Sequence, residues 1–213
     1  YLNDGKGNFS LKPNAVTNVF VNASCVKPND IDGDGDIDLF VGGRVVPGKY
    51  PESPSSYILI NNGKGNFTDK TSIFAADLQN AGMVTDAIWV DLNNDKQKDL
   101  IVVGEWMPIK VFINEKGKLT DKSNTYFNSP TNGWWNRIYA DDFDKDGDLD
   151  FIAGNRGLNT QVKVSAEKPC TMYYKDFDKN GTMDGIMCYY IQGKSYPALS
   201  RDEMVEQLPV LRK

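Results

Sequence analysis

The sequence of 213 residues contains no histidine. This absence excludes Ser-His-Asp and Cys-His catalysis, His-ligated zinc or iron, and acid–base work by imidazole. Cysteine is also scarce: Cys25, Cys170 and Cys188 are too few for a disulfide framework and fit no zinc spacing. Cys170 and Cys188 flank an acidic segment almost symmetrically. Two buried free thiols are the favoured interpretation there, and a disulfide across a hairpin is the alternative.

Long apolar runs and basic clusters are missing as well. No apolar run approaches the roughly 18 residues that a membrane-spanning helix needs, so no transmembrane segment is predicted. The formal net charge is −5 and Lys and Arg are scattered, which does not suggest a nucleic-acid partner. A hydrophobic fraction of 40% is nevertheless typical of a globular chain that buries a core.

Aspartate, by contrast, is concentrated in four segments that begin at Asp30, Asp91, Asp142 and Asp176. Counted from that first Asp, positions 1, 3, 5 and 9 are Asp or Asn in all four segments, and position 6 is Gly in three of them. Calcium takes six to eight oxygen ligands in flexible geometry, whereas magnesium demands a stricter octahedron and is the weaker candidate. Position 7 varies, as expected if it offers only its backbone carbonyl. The predicted calcium ligands are Asp30, Asp32, Asp34, Asp36, Asp38, Asp91, Asn93, Asp95, Gln97, Asp99, Asp142, Asp144, Asp146, Asp148, Asp150, Asp176, Asp178, Asn180, Thr182 and Asp184.

The EF-hand shares the start of this pattern but requires Glu at position 12 and a following helix. Here position 12 is Val41, Val102, Ala153 or Met187, and "DLFVGG" and "DLIVVGEW" indicate short strands. The sequence therefore predicts up to four calcium loops inside β-hairpins, and the fourfold repetition disfavours plain acidic surface turns. The site at residues 91–99 is predicted to be the weakest, because it has three carboxylates and carries Lys96 where a glycine is expected.

A second repeated signature follows the first two loops: "ILINNGKGNFTDKTS" (58–72) and "VFINEKGKLTDKSN" (111–124), with an N-terminal copy, "YLNDGKGNFSLK". Its Asn-Gly and Gly-x-Gly sequences suit hairpin turns, and a phosphate-binding loop is disfavoured because no helical pattern follows. About four strands per unit of about 50 residues is typical of a propeller blade. Near the C-terminus, Ser200 and Glu203 predict a capping box and a short helix.

These loops, with "VVGEWMPIKVF", "NGWWNRIYADDFDKDGDLDFIAGNRGLN" and "YPALSRDEMVEQLPVLRK", resemble the FG-GAP/VCBS repeat family. That family includes the propeller of integrin α-subunits and bacterial proteins related to cartilage acidic protein. The resemblance implies an all-β propeller of four-stranded antiparallel blades with calcium in several blades. We expect a partial propeller of three to four blades plus a C-terminal helix, with units at 1–19 (the tail of a preceding blade), 20–72, 80–124, 133–168 and 169–213. A fragment of a larger propeller is favoured over a closed four-bladed ring completed by residues 1–10.

The resemblance further implies a non-enzymatic, extracytoplasmic scaffold for protein or glycan recognition or adhesion. A purely structural segment of a larger protein is also compatible with the sequence. The alternative function is a calcium-assisted polysaccharide lyase, but nothing places a Tyr, Lys or Arg base beside a loop, so no catalytic residue is predicted. The candidate ligand contacts are Tyr50, Tyr57, Trp106, Trp134 and Trp135. For Trp134 and Trp135, packing inside a blade is the alternative, and Trp89 is expected in the core.

Overall fold

A computed structural model describes residues 1–16, 18–156, 162, 164–165 and 167–212. The strands in the described part are β1 (Leu2–Asn3), β2 (Phe9–Ser10), β3 (Asn22–Asn29), β4 (Asp38–Val45), β5 (Tyr57–Asn61), β6 (Phe67–Asp69), β7 (Met83–Val90), β8 (Asp99–Met107), β9 (Lys110–Glu115), β10 (Lys118–Asp121), β11 (Gly133–Asp141), β12 (Asp150–Asn155), β13 (Thr171–Lys175), β14 (Asp184–Ile191) and β15 (Lys194–Pro197). The α-helices are α1 (Thr71–Phe74), α2 (Ser123–Tyr126) and α3 (Arg201–Gln207), and the 3-10 helices are Ala76–Asn80 and Pro209–Arg212.

All the pairs of named strands are antiparallel in the described part of the chain, which confirms the predicted all-β class. β3 to β6 form one four-stranded sheet and β7 to β10 form a second, each with the meander order of a propeller blade. β11 pairs with β12 along most of its length and with β8 at Gly133 and Trp134, and β13 to β15 form a three-stranded sheet. β1 and β2 form a separate hairpin. The division of the whole chain into blades stays a prediction.

The core lies on both faces of the second sheet. Successive side chains of a strand point to opposite faces. On β8, Leu100 and Val102 therefore pack toward the first sheet, in a cluster that includes Phe40 and Phe112. Ile101 on the same strand faces the other way, in a second cluster with residues of β9 and β11. Burial on both faces explains why β8 has an almost continuous apolar sequence.

Each of the strands β3 and β7 contains a bulge whose extra residue has a hydroxyl group. At the first bulge, the Ser24 hydroxyl donates to the carbonyl of Val84 on β7, with an O···O distance of 2.7 Å. At the second, the Thr85 hydroxyl donates to the carbonyl of Trp135 on β11, at 2.8 Å. A bulge leaves one residue outside the ladder, and here that residue joins neighbouring sheets.

The repeated Asp-Lys-Thr/Ser sequence forms a corner after the fourth strand of each complete sheet. Asp69 accepts from the backbone N–H and the hydroxyl of Thr71, and that hydroxyl oxygen accepts from Ile58 on β5. Asp121 and Ser123 repeat the arrangement on β9 and β10. The corner leads into α1 in the first copy and α2 in the second, two single-turn helices that the sequence analysis did not predict.

The C-terminal helix and the thiols agree with the expectations from sequence. Ser200 caps α3 and forms a capping box with Glu203, as predicted. Cys25, Cys170 and Cys188 are free thiols, and of the pair expected to be buried, Cys188 is buried whereas Cys170 is only half-buried. No helix in the described part of the chain is long and apolar enough to cross a membrane.

Candidate functional site

All four acidic segments occupy the same place in the fold. Each joins two antiparallel strands: β3 to β4, β7 to β8, β11 to β12, and β13 to β14. The Asp at position 9 is the first residue of the second strand and pairs with the residue directly before position 1. The four pairs are Asn29↔Asp38, Val90↔Asp99, Asp141↔Asp150 and Lys175↔Asp184. The register therefore closes four loops of equal length.

The carboxylate at position 1 lies inside the turn, where backbone N–H groups surround it. In the first loop, the two oxygens of Asp30 accept from the N–H groups of Gly33 and Gly35 at 2.9 and 3.0 Å. The N–H of position 6 donates to position 1 in the other three loops as well, at 2.9 to 3.1 Å. These donors orient the carboxylate toward the inside of the turn.

Positions 3 and 5 are oriented by the same kind of local bond. The N–H of Asp34 donates to Oδ1 of Asp32 at 3.3 Å, and the N–H of Asp36 donates to Oδ1 of Asp34 at 2.8 Å. Equivalent bonds recur in each of the other loops. Asp and Asn form such turns readily, which gives a local reason for their spacing of two residues.

Position 9 connects the loop to the sheet behind it. Asp38 is fully buried, and its two oxygens accept from the N–H groups of Ile31 and Asn61 at 2.9 and 2.8 Å. Asp99 is buried in the same way and accepts from Leu92 and from Asn114 on β9. A buried carboxylate is costly without partners, and two N–H donors meet part of that cost.

In three loops the carboxylates converge closely. Oxygens from three different carboxylates lie within 4.8 Å of one another, and each group belongs to one loop. At about 4 Å, like charges repel by roughly 1 kcal/mol in bulk water and 4 kcal/mol at an effective dielectric of 20. A divalent cation would reverse this repulsion. The groups are Asp30, Asp32 and Asp38; Asp142, Asp144 and Asp146; and Asp176, Asp178 and Asp184.

The same crowding affects the acidity of the loops. Burial raises the pKa of Asp32, and the nearby carboxylates of the first loop raise it further. Burial also raises the pKa of Asp99, against two backbone N–H donors that lower it. The carboxylate of Asp146 raises the pKa of Asp148. Each shift reflects an anion held near other anions or away from water.

The second loop differs from the other three. It has Asn93 at position 3, where the other loops have Asp. The Asn93 amide donates to Asp95 Oδ2 at 3.0 Å, a bond that the Asn180 amide repeats to Asp178 Oδ2 in the fourth loop. Lys96 at position 6 has a φ of 71°, in the left-handed region that glycine adopts in the other loops. The expected backbone conformation is therefore present at this lysine, and the predicted ranking of the four sites stays a prediction.

Two features of the loops were missed from sequence. Position 4 also has positive φ, at Gly33, Asn94, Lys145 and Lys179. Asn114, at the end of β9, is buried and donates to the carbonyls of Ile31 in the first loop and Lys98 in the second, at 3.4 and 3.3 Å. The signal for Asn114 was the Asn that precedes both Gly turns, in "INNGKG" and "INEKG".

A profile of the FG-GAP-like repeat family matches residues 30–102 and, in a second copy, residues 91–153. The chain belongs to the FG-GAP-like repeat family. The two FG-GAP-like matches together contain the first three acidic loops, the strands from β4 to β11 and the first part of β12. The fourth loop, at residues 176–184, lies outside the matched ranges but has the same hairpin register. No curated protein matches the chain.

The aromatic residues proposed as ligand contacts divide into two groups. Trp106 contacts both Tyr50 and Trp134. Trp135 instead packs against the second core cluster, and its indole N–H donates to a backbone carbonyl. Trp89 packs against the first core cluster, as expected, and Tyr57 is half-buried on β5. The blade-packing interpretation therefore applies to Trp135 and Trp89.

Proposed function

We propose that this chain is a calcium-stabilised β-propeller scaffold that serves recognition or adhesion outside the cytoplasm, with a protein or a glycan as its ligand. The observation that carries the proposal is the convergence of three carboxylates in each of three loops that share one hairpin register. The ligands would be the side chains at positions 1, 3, 5 and 9 and the backbone carbonyl at position 7. The second loop would bind calcium most weakly.

Calcium would act on the fold and would take no part in bond-making chemistry. An ion that binds only the folded chain adds RT ln(1 + [L]/Kd) to stability, which is about 2.7 kcal/mol at 100 times Kd. Loops of modest affinity are filled where calcium is millimolar, as it is outside cells. This argument supports an extracytoplasmic location.

The division into propeller units is part of the proposal. The units at 20–72 and 80–124 correspond to β3–β6 and β7–β10, which are two complete four-stranded sheets. We propose that 133–168 and 169–213 are a short and a partial blade, and that 1–19 is the outer hairpin of a preceding one. The contacts of β7 with β3, β4 and β11 support this arrangement, in which neighbouring units would lie side by side.

Thermal unfolding with and without calcium tests the proposal. We expect the unfolding midpoint to rise with millimolar calcium, to rise less with equal magnesium, and to return after chelation. The variant Asp30→Asn with Asp32→Asn should lose part of the calcium-induced rise. The matched control, Asp77→Asn, changes an exposed acid in a 3-10 helix and should keep all of it. A midpoint that does not respond to calcium would contradict the proposal.

A further inference from the structure

Four side chains form a cluster at the edge of the sheets, and we call Tyr50, Trp106, Trp134 and Arg156 the aromatic cluster. The Trp106 indole N–H donates to the Tyr50 hydroxyl at 2.7 Å. The rings of Trp106 and Trp134 have centroids 5.0 Å apart and are tilted by 45°. The guanidinium of Arg156 lies over the Trp134 ring, 4.5 Å from its centroid. Each member therefore contacts another.

The aromatic cluster is assembled from three sheets. Tyr50 lies in the connection between β4 and β5, Trp106 near the end of β8, and Trp134 near the start of β11. These are the strand ends opposite the acidic loops. Trp106 is seven steps along β8 from Asp99, a distance of roughly 23 Å at 3.3 Å per residue. An ion in the second loop is therefore too distant to contact a ligand at the cluster.

The backbone of Trp106 is in an unfavourable conformation. Its φ is 57°, a region that bulky L-residues rarely adopt. Such strain costs roughly 1–3 kcal/mol and is concentrated at binding and catalytic sites. The two neighbours of Trp106, Glu105 and Met107, are both buried, whereas the indole is only half-buried. The chain thus retains a strained tryptophan at the surface between two residues that anchor the strand.

The positive charge at the aromatic cluster has no carboxylate partner among the described residues. Arg44, close by, is paired with the buried Glu105. Arg156 is exposed and forms no ion pair with a carboxylate among the described residues. A guanidinium held over an indole still has N–H donors, which suit a carboxylate or sulfate group.

We propose that the aromatic cluster binds an acidic polysaccharide. One sugar ring would stack on the indole of Trp106, and a carboxylate or sulfate of the same chain would pair with Arg156, which Trp134 holds in place. Tyr50 is exposed and the two indoles are half-buried, so the cluster lies at the protein surface. A partly exposed aromatic ring at the surface suits a sugar ring better than a peptide side chain, which needs a pocket to exclude water. This inference rests on the proposed recognition function and specifies its ligand.

Calorimetric titration of the calcium-saturated chain with a hyaluronan octasaccharide tests the proposal. A chitin oligosaccharide is the neutral comparator, and polyglutamate is the acidic peptide comparator. We expect the acidic sugar to bind more tightly than both. Arg156→Gln should weaken its binding about tenfold, the scale of a lost hydrogen bond to a charged group. Trp106→Ala should weaken it by a similar factor, as for a central aromatic contact.

The control variant is Arg201→Gln, which removes one exposed arginine on α3 and should leave affinity unchanged. Trp106→Phe keeps a ring and provides a second readout if the alanine variant does not fold. The calcium-induced rise in unfolding midpoint shows that each variant is intact.

Three results would overturn the inference: no binding of the acidic sugar, equal binding of polyglutamate, or equal losses in Arg156→Gln and Arg201→Gln. A chain that calcium stabilises but that binds no acidic sugar would refute this inference alone. A chain that binds the sugar without any response to calcium would refute the scaffold proposal alone.

Discussion

Replacing Lys96 by glycine isolates the backbone requirement of the second acidic loop. Lys96 is exposed, and its φ of 71° matches the 93°, 99° and 88° of Gly35, Gly147 and Gly181 at the same position. Its backbone N–H donates to Asp91 Oδ2 at 2.9 Å, a bond that a glycine retains. A Cβ added at Gly35, Gly147 or Gly181 would meet no atom within 4 Å. Glycine therefore serves the backbone conformation at this position and not the available space.

The expected gain in stability is small and has a definite sign. A left-handed conformation costs an L-residue roughly 1–2 kcal/mol. Against this gain, a glycine loses roughly 0.5–1 kcal/mol more than alanine through chain entropy on folding. Lys96→Gly should therefore raise the free energy of unfolding by about 0.5–1 kcal/mol. For a chain of this size, that corresponds to a rise of about 1–4 °C in the unfolding midpoint.

Urea and thermal unfolding in the presence of a chelator measure this gain without any contribution from calcium. Lys96→Ala removes the same charge but keeps the strain, so it should not reproduce the gain. Lys98→Gly places glycine two residues later, where φ is not positive, and should lower stability by about 0.5–1 kcal/mol. If Lys96→Gly is no more stable than the parent chain, or if Lys96→Ala is equally stabilised, the backbone argument is wrong.

Three further variants test the packing and the electrostatics. Asn114→Ala should cost about 1–3 kcal/mol in urea unfolding, because a buried backbone N–H loses its acceptor; an unchanged midpoint would contradict this role. Phe112→Ala should cost about 3–5 kcal/mol, since its ring is fully buried between the first two sheets; a loss below 1 kcal/mol (about a factor of five in the unfolding constant) would refute that packing. Burial raises the pKa of Asp121, but hydrogen bonds from Ser123 and Lys110 outweigh it and lower the pKa overall. The ionised carboxylate therefore stabilises the fold above its unfolded pKa of about 3.9, and this stabilisation is lost as the pH falls through the lower pKa of the folded state. In Asp121→Asn, the free energy of unfolding should therefore fall less steeply between neutral and acidic pH than in the parent chain. If the two proteins give parallel curves of unfolding free energy against pH, the argument is wrong.

The sequence by itself determined the acidic loops because their structure is local. Asp30, Asp32 and Asp34 are oriented by N–H groups no more than five residues away. A nine-residue pattern therefore contains most of the information needed to build such a loop. The same reasoning applies to the capping box of Ser200 and Glu203.

Only the tertiary structure decided which distant residues meet. Tyr50, Trp106 and Trp134 are far apart in sequence and come together because three neighbouring sheets present their strand ends to one edge. No local pattern reports that contact, since it depends on how the sheets pack. Asn114 illustrates both cases. The sequence shows an Asn at the same position before both Gly turns, but the bond from Asn114 to Ile31 exists only because the second sheet packs against the first acidic loop.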